Sequence, residues 1–148
     1  MATVHRSVAT LRISSDALDP AQITQALGHE PTAAQTKGET LVGKKTGHSR
    51  IARVGTWRLQ ATVQEPADLN RQVAEILSKL TQDLDVWRAI NSQHKVDLFC
   101  GLFLDQANEG LDLSSASLAA LGSRGIKLGL DIYAGPDESD VQRNQGQT

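Results

Sequence analysis

Between Lys37 and Arg58 stand six bases, Lys37, Lys44, Lys45, Arg50, Arg53 and Arg58, with Glu39 as the one acid. The rest of the chain carries nine bases against 16 acids, so charge is polarised along the sequence although the formal total is only −2. Ammonium and guanidinium groups on a loop loosened by Gly43 and Gly47 suit the capture of phosphate, carboxylate or an acidic partner. The plainer alternative is a solvated loop, which is what most charge runs are. A nucleotide-hydrolase loop is excluded. Gly38, Gly43 and Lys44 have the spacing, but Lys45 stands where Ser or Thr would reach a magnesium ion, and no apolar helix follows.

A second set joins Asp131 and Tyr133, near the C-terminal end, to Lys37, Glu39 and Trp57. Alternation along the last strand places Asp131 and Tyr133 opposite Leu130 and Ile132, which are expected in the core. If Lys37 and Trp57 meet them, a small polar pocket forms and an uncharacterised enzyme becomes conceivable. The plainer alternative is a structural ion pair, Lys37 with Glu39 or Asp131, beside a core tryptophan. Other motifs carry less. Histidines 5, 29, 48 and 94 lack ligand spacing, so neither metal nor cofactor is expected. Asp105 to Gly110 lacks the order of a calcium loop. Cys100, the only cysteine, lies on the apolar side of a strand and reads as a buried structural thiol.

The elements that would position these residues follow from periodicity. Val4–Ile13 alternates as a half-buried strand. Asp19, Pro20 and Gln22 start a helix over 20–27, Leu18 and Ile23 have staple spacing, and Gly28 ends it. Short strands are expected at 33–36 and 40–42, and 43–49 reads as an exposed loop tip. Gly55–Val63 alternates clearly. Pro66 is expected to open the longest helix, with Leu69, Val73, Ile76, Leu77 and Leu80 as its stripe. A shorter helical piece ends near Asn91. Val96–Leu104 is apolar on both faces, as in a central strand. A helix capped by Ser114 and closed by Gly122 precedes a last strand over 126–133.

This order predicts an α+β two-layer sandwich with a mixed or antiparallel sheet and helices on one face. Its core is ferredoxin-like, with an extra α-β unit. One domain is expected over 4–133, followed by a disordered polar tail over 134–148. With 148 residues, 39% hydrophobic and only 3% aromatic, the core must rest on Leu, Ile, Val and Ala. No apolar h-region lies at residues 1–6 and no stretch is long enough for a membrane span, so a cytoplasmic protein is expected, with no membrane partner.

The run Leu27-Gly28-His29-Glu30-Pro31-Thr32, then Lys37-Gly38-Glu39, Gly55-Thr56-Trp57 and Leu130-Asp131-Ile132-Tyr133, resembles in order and spacing the bacterial family DUF4279, a domain of unknown function. The similarity covers residues 6–133. It implies a bacterial, cytoplasmic, stand-alone domain, and no reaction. The leading expectation is a non-enzymatic protein-interaction module of unknown partner. It would act through loop 37–53 and the adjoining sheet, for example by neutralising a partner protein. The first alternative is a binder of small anionic ligands or nucleic acid through 37–58. Nucleic acid is the weaker of these, since few aromatics offer stacking and the net charge is slightly negative. The second alternative is an enzyme near Asp131 and Tyr133. A homodimer through strand 126–133 is also open.

Overall fold

In the computed structural model, which describes residues 2–135, the elements run β1 (Arg6–Ser15), α1 (Pro20–Leu27), β2 (Ala33–Gln35), β3 (Thr40–Val42), β4 (Ser49–Ile51), β5 (Gly55–Gln60), α2 (Leu69–Ser78), α3 (Leu84–Gln93), β6 (Lys95–Phe103), α4 (Ser115–Ser123) and β7 (Lys127–Tyr133). The expectation for the tail from Pro136 onward falls outside the described residues.

One five-stranded sheet has the order β2-β5-β1-β6-β7. β5 lies between β1 and β2, and β1 lies between β5 and β6. Both insertions are antiparallel. The units β1-α1-β2 and β5-α2-α3-β6 therefore interlock as two split βαβ crossovers, the ferredoxin-like arrangement. The unit α4-β7 adds one more strand, parallel to β6. The expected architecture is the one observed. β3 and β4 form a separate two-stranded hairpin. β4 has no counterpart in the sequence reading, because its three residues are all exposed and leave no alternation to read.

Alternation sets which face is covered. In register, Leu59, Leu11 and Leu98 form one row across β5, β1 and β6, and Trp57, Ile13 and Val96 form the next. All six side chains are buried, and the helices pack over them. Arg58, Arg12 and Asp97 alternate with these positions and stand on the other, open face.

Local signals explain the helix ends. Asp19 accepts a hydrogen bond from Ala21 N at 3.1 Å, and Gly28 closes α1 at φ 83°, where a side chain would be strained. Leu18 and Ile23 are both buried, as a staple requires. Ser114 caps α4 through Ser117 N. Helix α2 differs from expectation: Pro66 does not open it. Ala67 N–H donates to Val4 O at 3.0 Å, which holds that stretch extended. Asp68 is the true cap, accepting from Arg71 N at 3.0 Å.

Two further expectations are corrected. Leu130 and Ile132 are not core residues; they are 46% and 59% exposed. β7 is the edge strand, and the core cover over it ends at the partly buried Leu128. The second apolar face of β6 is not under another layer either. Phe99 and Phe103 look onto the open face, where the guanidiniums of Arg12 and Arg6 lie over their rings at 4.4 and 4.1 Å.

Candidate functional site

The register that builds the core also builds a charged row on the open face. Arg58 of β5, Arg12 of β1, Asp97 of β6 and Lys127 of β7 are successive cross-strand neighbours. Three cations share one carboxylate. Asp97 is committed to Arg12: Nε donates to Oδ1 at 2.9 Å and Nη2 to Oδ2 at 2.6 Å. This bidentate pair, with Phe99 behind it, fixes the guanidinium plane. The hydrogen bonds that Arg12 donates to Asp97 also raise the Arg12 pKa above its ordinary value, against the opposing effect of burial.

Arg58 stands directly opposite Arg12. Like charges opposite one another in a sheet repel. Among the described residues, Arg58 has no carboxylate within ion-pair distance, and neither do Lys95 and Lys127. These four cations and Asp97 line a concavity of about 660 Å³. Ser14, Thr56, Asn91 and His94 add hydrogen-bonding groups to its wall.

His94 caps the C-terminus of α3 and shares a 2.6 Å hydrogen bond with Ser15 Oγ through Nδ1. Burial lowers its pKa below the ordinary value, so the ring is neutral at pH 7. The unfolded chain then takes up this proton first. The His94 contribution to stability is complete above about pH 6.5 and is lost as pH falls through that value toward the folded pKa. The His94→Asn variant is expected to flatten the acid side of the stability profile, measured as urea midpoints from pH 7 down to pH 5. An unchanged slope would assign the acid sensitivity to other groups.

A second basin, of about 1210 Å³, lies between the hairpin and the β2–β5 edge and is lined by Lys37, Arg50, Arg53 and Arg58. Arg58 and Val54 belong to both concavities, so the two meet at Arg58. Four of the six expected bases are thus gathered on one surface. Lys44 and Lys45 are not; they sit at the exposed hairpin tip, beyond the lining of either basin.

The second expected constellation is dispersed. Trp57 is fully buried on the covered face and donates Nε1–H to Thr24 Oγ1 at 3.0 Å. Lys37 pairs with Asp16 at 3.1 Å, and neither Glu39 nor Asp131 is its partner. Glu39 instead accepts from Thr36 N at 3.0 Å and tightens the turn before β3. Asp131 and Tyr133 meet only each other: the Tyr133 hydroxyl donates to Asp131 Oδ2 at 2.9 Å. That bond raises the phenol pKa. The Tyr133 ring stacks on Phe103 at 4.6 Å, at the opposite end of β7 from Lys127.

Cys100 is buried, and burial together with the Asp97 charge pushes its thiol up to about 12, so it is no nucleophile near neutral pH. Among the described residues no group of three or more His, Cys, Asp and Glu side chains is arranged to hold a metal ion. No described helix is long and apolar enough to cross a membrane.

Sequence reasoning missed Arg12, His94, Lys95, Asp97 and Lys127. They lie on β1, β6 and β7 and, for His94, at the C-cap of α3, and only the strand register brings them together.

The chain matches the family described as Domain of unknown function (DUF4279) over residues 3–135, nearly its whole length, and belongs to that family. No curated protein and no solved structure matches it.

Proposed function

For this member of a family without an assigned activity, we propose a non-catalytic binding module for a small anionic ligand, a phosphorylated or polycarboxylated molecule held on the open sheet face. The observation that carries this reading is the Arg58–Arg12 pair. Two guanidiniums face each other across adjacent strands, and the single carboxylate in the row is bound to Arg12. The uncompensated charge of Arg58 is relieved by an anion. The concavity beside it has the size of an ordinary small-molecule site. The four cations and the hydrogen-bonding side chains in its wall favour an anionic ligand that can accept hydrogen bonds. Lys95 and Arg53 add charge on either side, and His94 and Asn91 offer directional hydrogen bonds.

Nothing in the row resembles an activated nucleophile or a poised acid–base couple, which favours binding over turnover. In titration calorimetry against inorganic phosphate, citrate and a nucleoside diphosphate, at least one is expected to bind. The Arg58→Glu variant is expected to weaken that affinity at least tenfold. Arg58→Lys is expected to lie between, since a lysine keeps the charge and loses the bidentate geometry. Binding is expected to weaken with added salt. An affinity equal in wild type and Arg58→Glu would sink this reading.

A protein partner at the hairpin is the second reading. It is favoured by one observation: Val42 and Ile51 of β3 and β4 are each 67% exposed beside the basic basin. An acidic protein segment with apolar residues would suit both features. In that case Val42→Asp abolishes capture of the partner, while the small-anion affinity at Arg58 is unchanged.

A further inference from the structure

The two edges of the main sheet differ. β2 is three residues long, too short to template another strand, whereas β7 runs seven residues, Lys127–Tyr133. Among the described residues, no strand pairs with the outer edge of β7. Its helix-side residues Leu130 and Ile132 are exposed, and so is Leu118 of the neighbouring α4. A long edge with apolar side chains is an incomplete surface in a soluble domain.

The sequence of the strand says what fits. We propose that β7 pairs antiparallel with β7 of a second copy of this chain, about a twofold axis through Gly129, which joins the two sheets into one of ten strands. In that register Lys127 stands opposite Asp131 of the second copy, and Asp131 opposite its Lys127, so two complementary charge pairs form on the open face. On the helix side, Leu128 meets Leu130 and Ile126 meets Ile132. Gly129 meets itself, so no side chains collide on the axis. A shift of one residue along either strand loses both charge pairs. Asp131 is available for this role: its Oδ2 accepts from Tyr133 and its other oxygen is free among the described residues. Lys127 has no ion pair among them. Isologous pairing of this kind is the commonest closed assembly. The inference does not rest on anion binding: the two share Lys127, but Arg58, Arg12 and Lys95 keep their place in the concavity when Lys127 turns to the second copy.

Sedimentation velocity of the full chain over a range of micromolar concentrations tests it. Wild type is expected to be dimeric. Asp131→Lys and Lys127→Asp, each shown folded by circular dichroism, are expected to dissociate at least tenfold more readily. The double variant, with both charges exchanged, is expected to restore the dimer. As a second measurement, Gly129→Cys places a thiol on the axis, where a Cβ meets only the Phe99 ring at an ordinary 3.8 Å. Mild oxidation is expected to give a covalent dimer, and Leu130→Cys is expected to give much less. A wild-type monomer at all concentrations, with the edge open or covered by residues 136–148 or another protein, overturns the proposal. So does a dimer that both charge reversals leave intact, or one that the double exchange fails to restore.

Discussion

Replacing Trp57 by alanine is expected to lower the free energy of unfolding by about 3–5 kcal/mol. The side chain is fully buried between Ile13 on β1 and the underside of α1. Its removal takes away the largest kind of apolar contact and leaves a cavity that a sheet and a capped helix cannot collapse to fill. It also strands the hydroxyl of Thr24, which accepts the indole N–H. Against a total stability of about 5–15 kcal/mol, this is a loss of about a fifth or more. The melting temperature is expected to fall by about 10 °C. Trp57→Phe keeps most of the ring and loses the hydrogen bond, and is expected to cost about 1–2 kcal/mol. Urea denaturation of the three proteins gives these differences directly. A cost below about 1 kcal/mol for the alanine variant would mean that Trp57 is not part of the core and would return it to the list of pocket residues.

The second large effect lies at Gln72, an amide with no exposed surface on a helix that is otherwise packed through apolar residues. Its Nε2 donates to Ser7 O at 2.9 Å and to Thr62 O at 3.1 Å, and its Oε1 accepts from Ser7 Oγ at 2.7 Å. Ser7 Oγ in turn accepts from the backbone N–H of Asp68, the N-cap of α2, at 3.1 Å. One side chain thus satisfies groups on β1 and on the stretch after β5, and orients the start of α2. Gln72→Leu preserves volume and removes the three bonds that Gln72 makes, leaving Asp68 N on Ser7 Oγ. Two backbone carbonyls and a hydroxyl are left without that partner, at an expected cost of about 2–4 kcal/mol. The coupling can be isolated. Ser7→Ala together with Gln72→Leu is expected to cost less than the two single changes added, because the second removes a group already orphaned by the first. Strict additivity in the cycle would show that the network contributes nothing beyond its parts. The network lies on the covered side, so anion affinity at Arg58 is expected to be unchanged in Gln72→Leu under folding conditions.

These two sites and the charged row mark different distances between sequence and structure. Asp19, Pro20 and Gly28 define α1 because capping is a local event, decided within one turn by side-chain oxygens, a fixed φ and a left-handed closing residue. The strands β1, β5, β6 and β7 are legible because alternation at period two is forced by the pleat. Their number and the intervening helices lead to the ferredoxin-like core with its added α-β unit. The start of α2 was not legible, since a proline ahead of an apolar stripe suggests a first turn, and only the Ala67–Val4 hydrogen bond shows that the chain is still extended there. The exposure of Leu130 and Ile132 was hidden for a similar reason. An apolar strand residue signals a covered face, and no pattern within β7 says that the strand lies at an edge beyond the reach of the helices.

What the sequence determined by itself was the class of the fold, most of its elements and the uneven distribution of charge, all of which rest on residues close together in the chain. It also held half of the candidate site: the basic segment containing Arg50, Arg53 and Arg58. The tertiary structure alone decided which bases converge and which are spent. Arg12 and Asp97 are 85 residues apart in the chain and bonded in the sheet. Arg58 and Lys127 join them because antiparallel pairing of β1 with β5 and β6, and parallel pairing of β6 with β7, set four residues in one line. Register is a property of strand pairs, fixed by the burial of the opposite face. A charge therefore becomes a site or a solvated side chain only when its neighbours across the sheet are chosen.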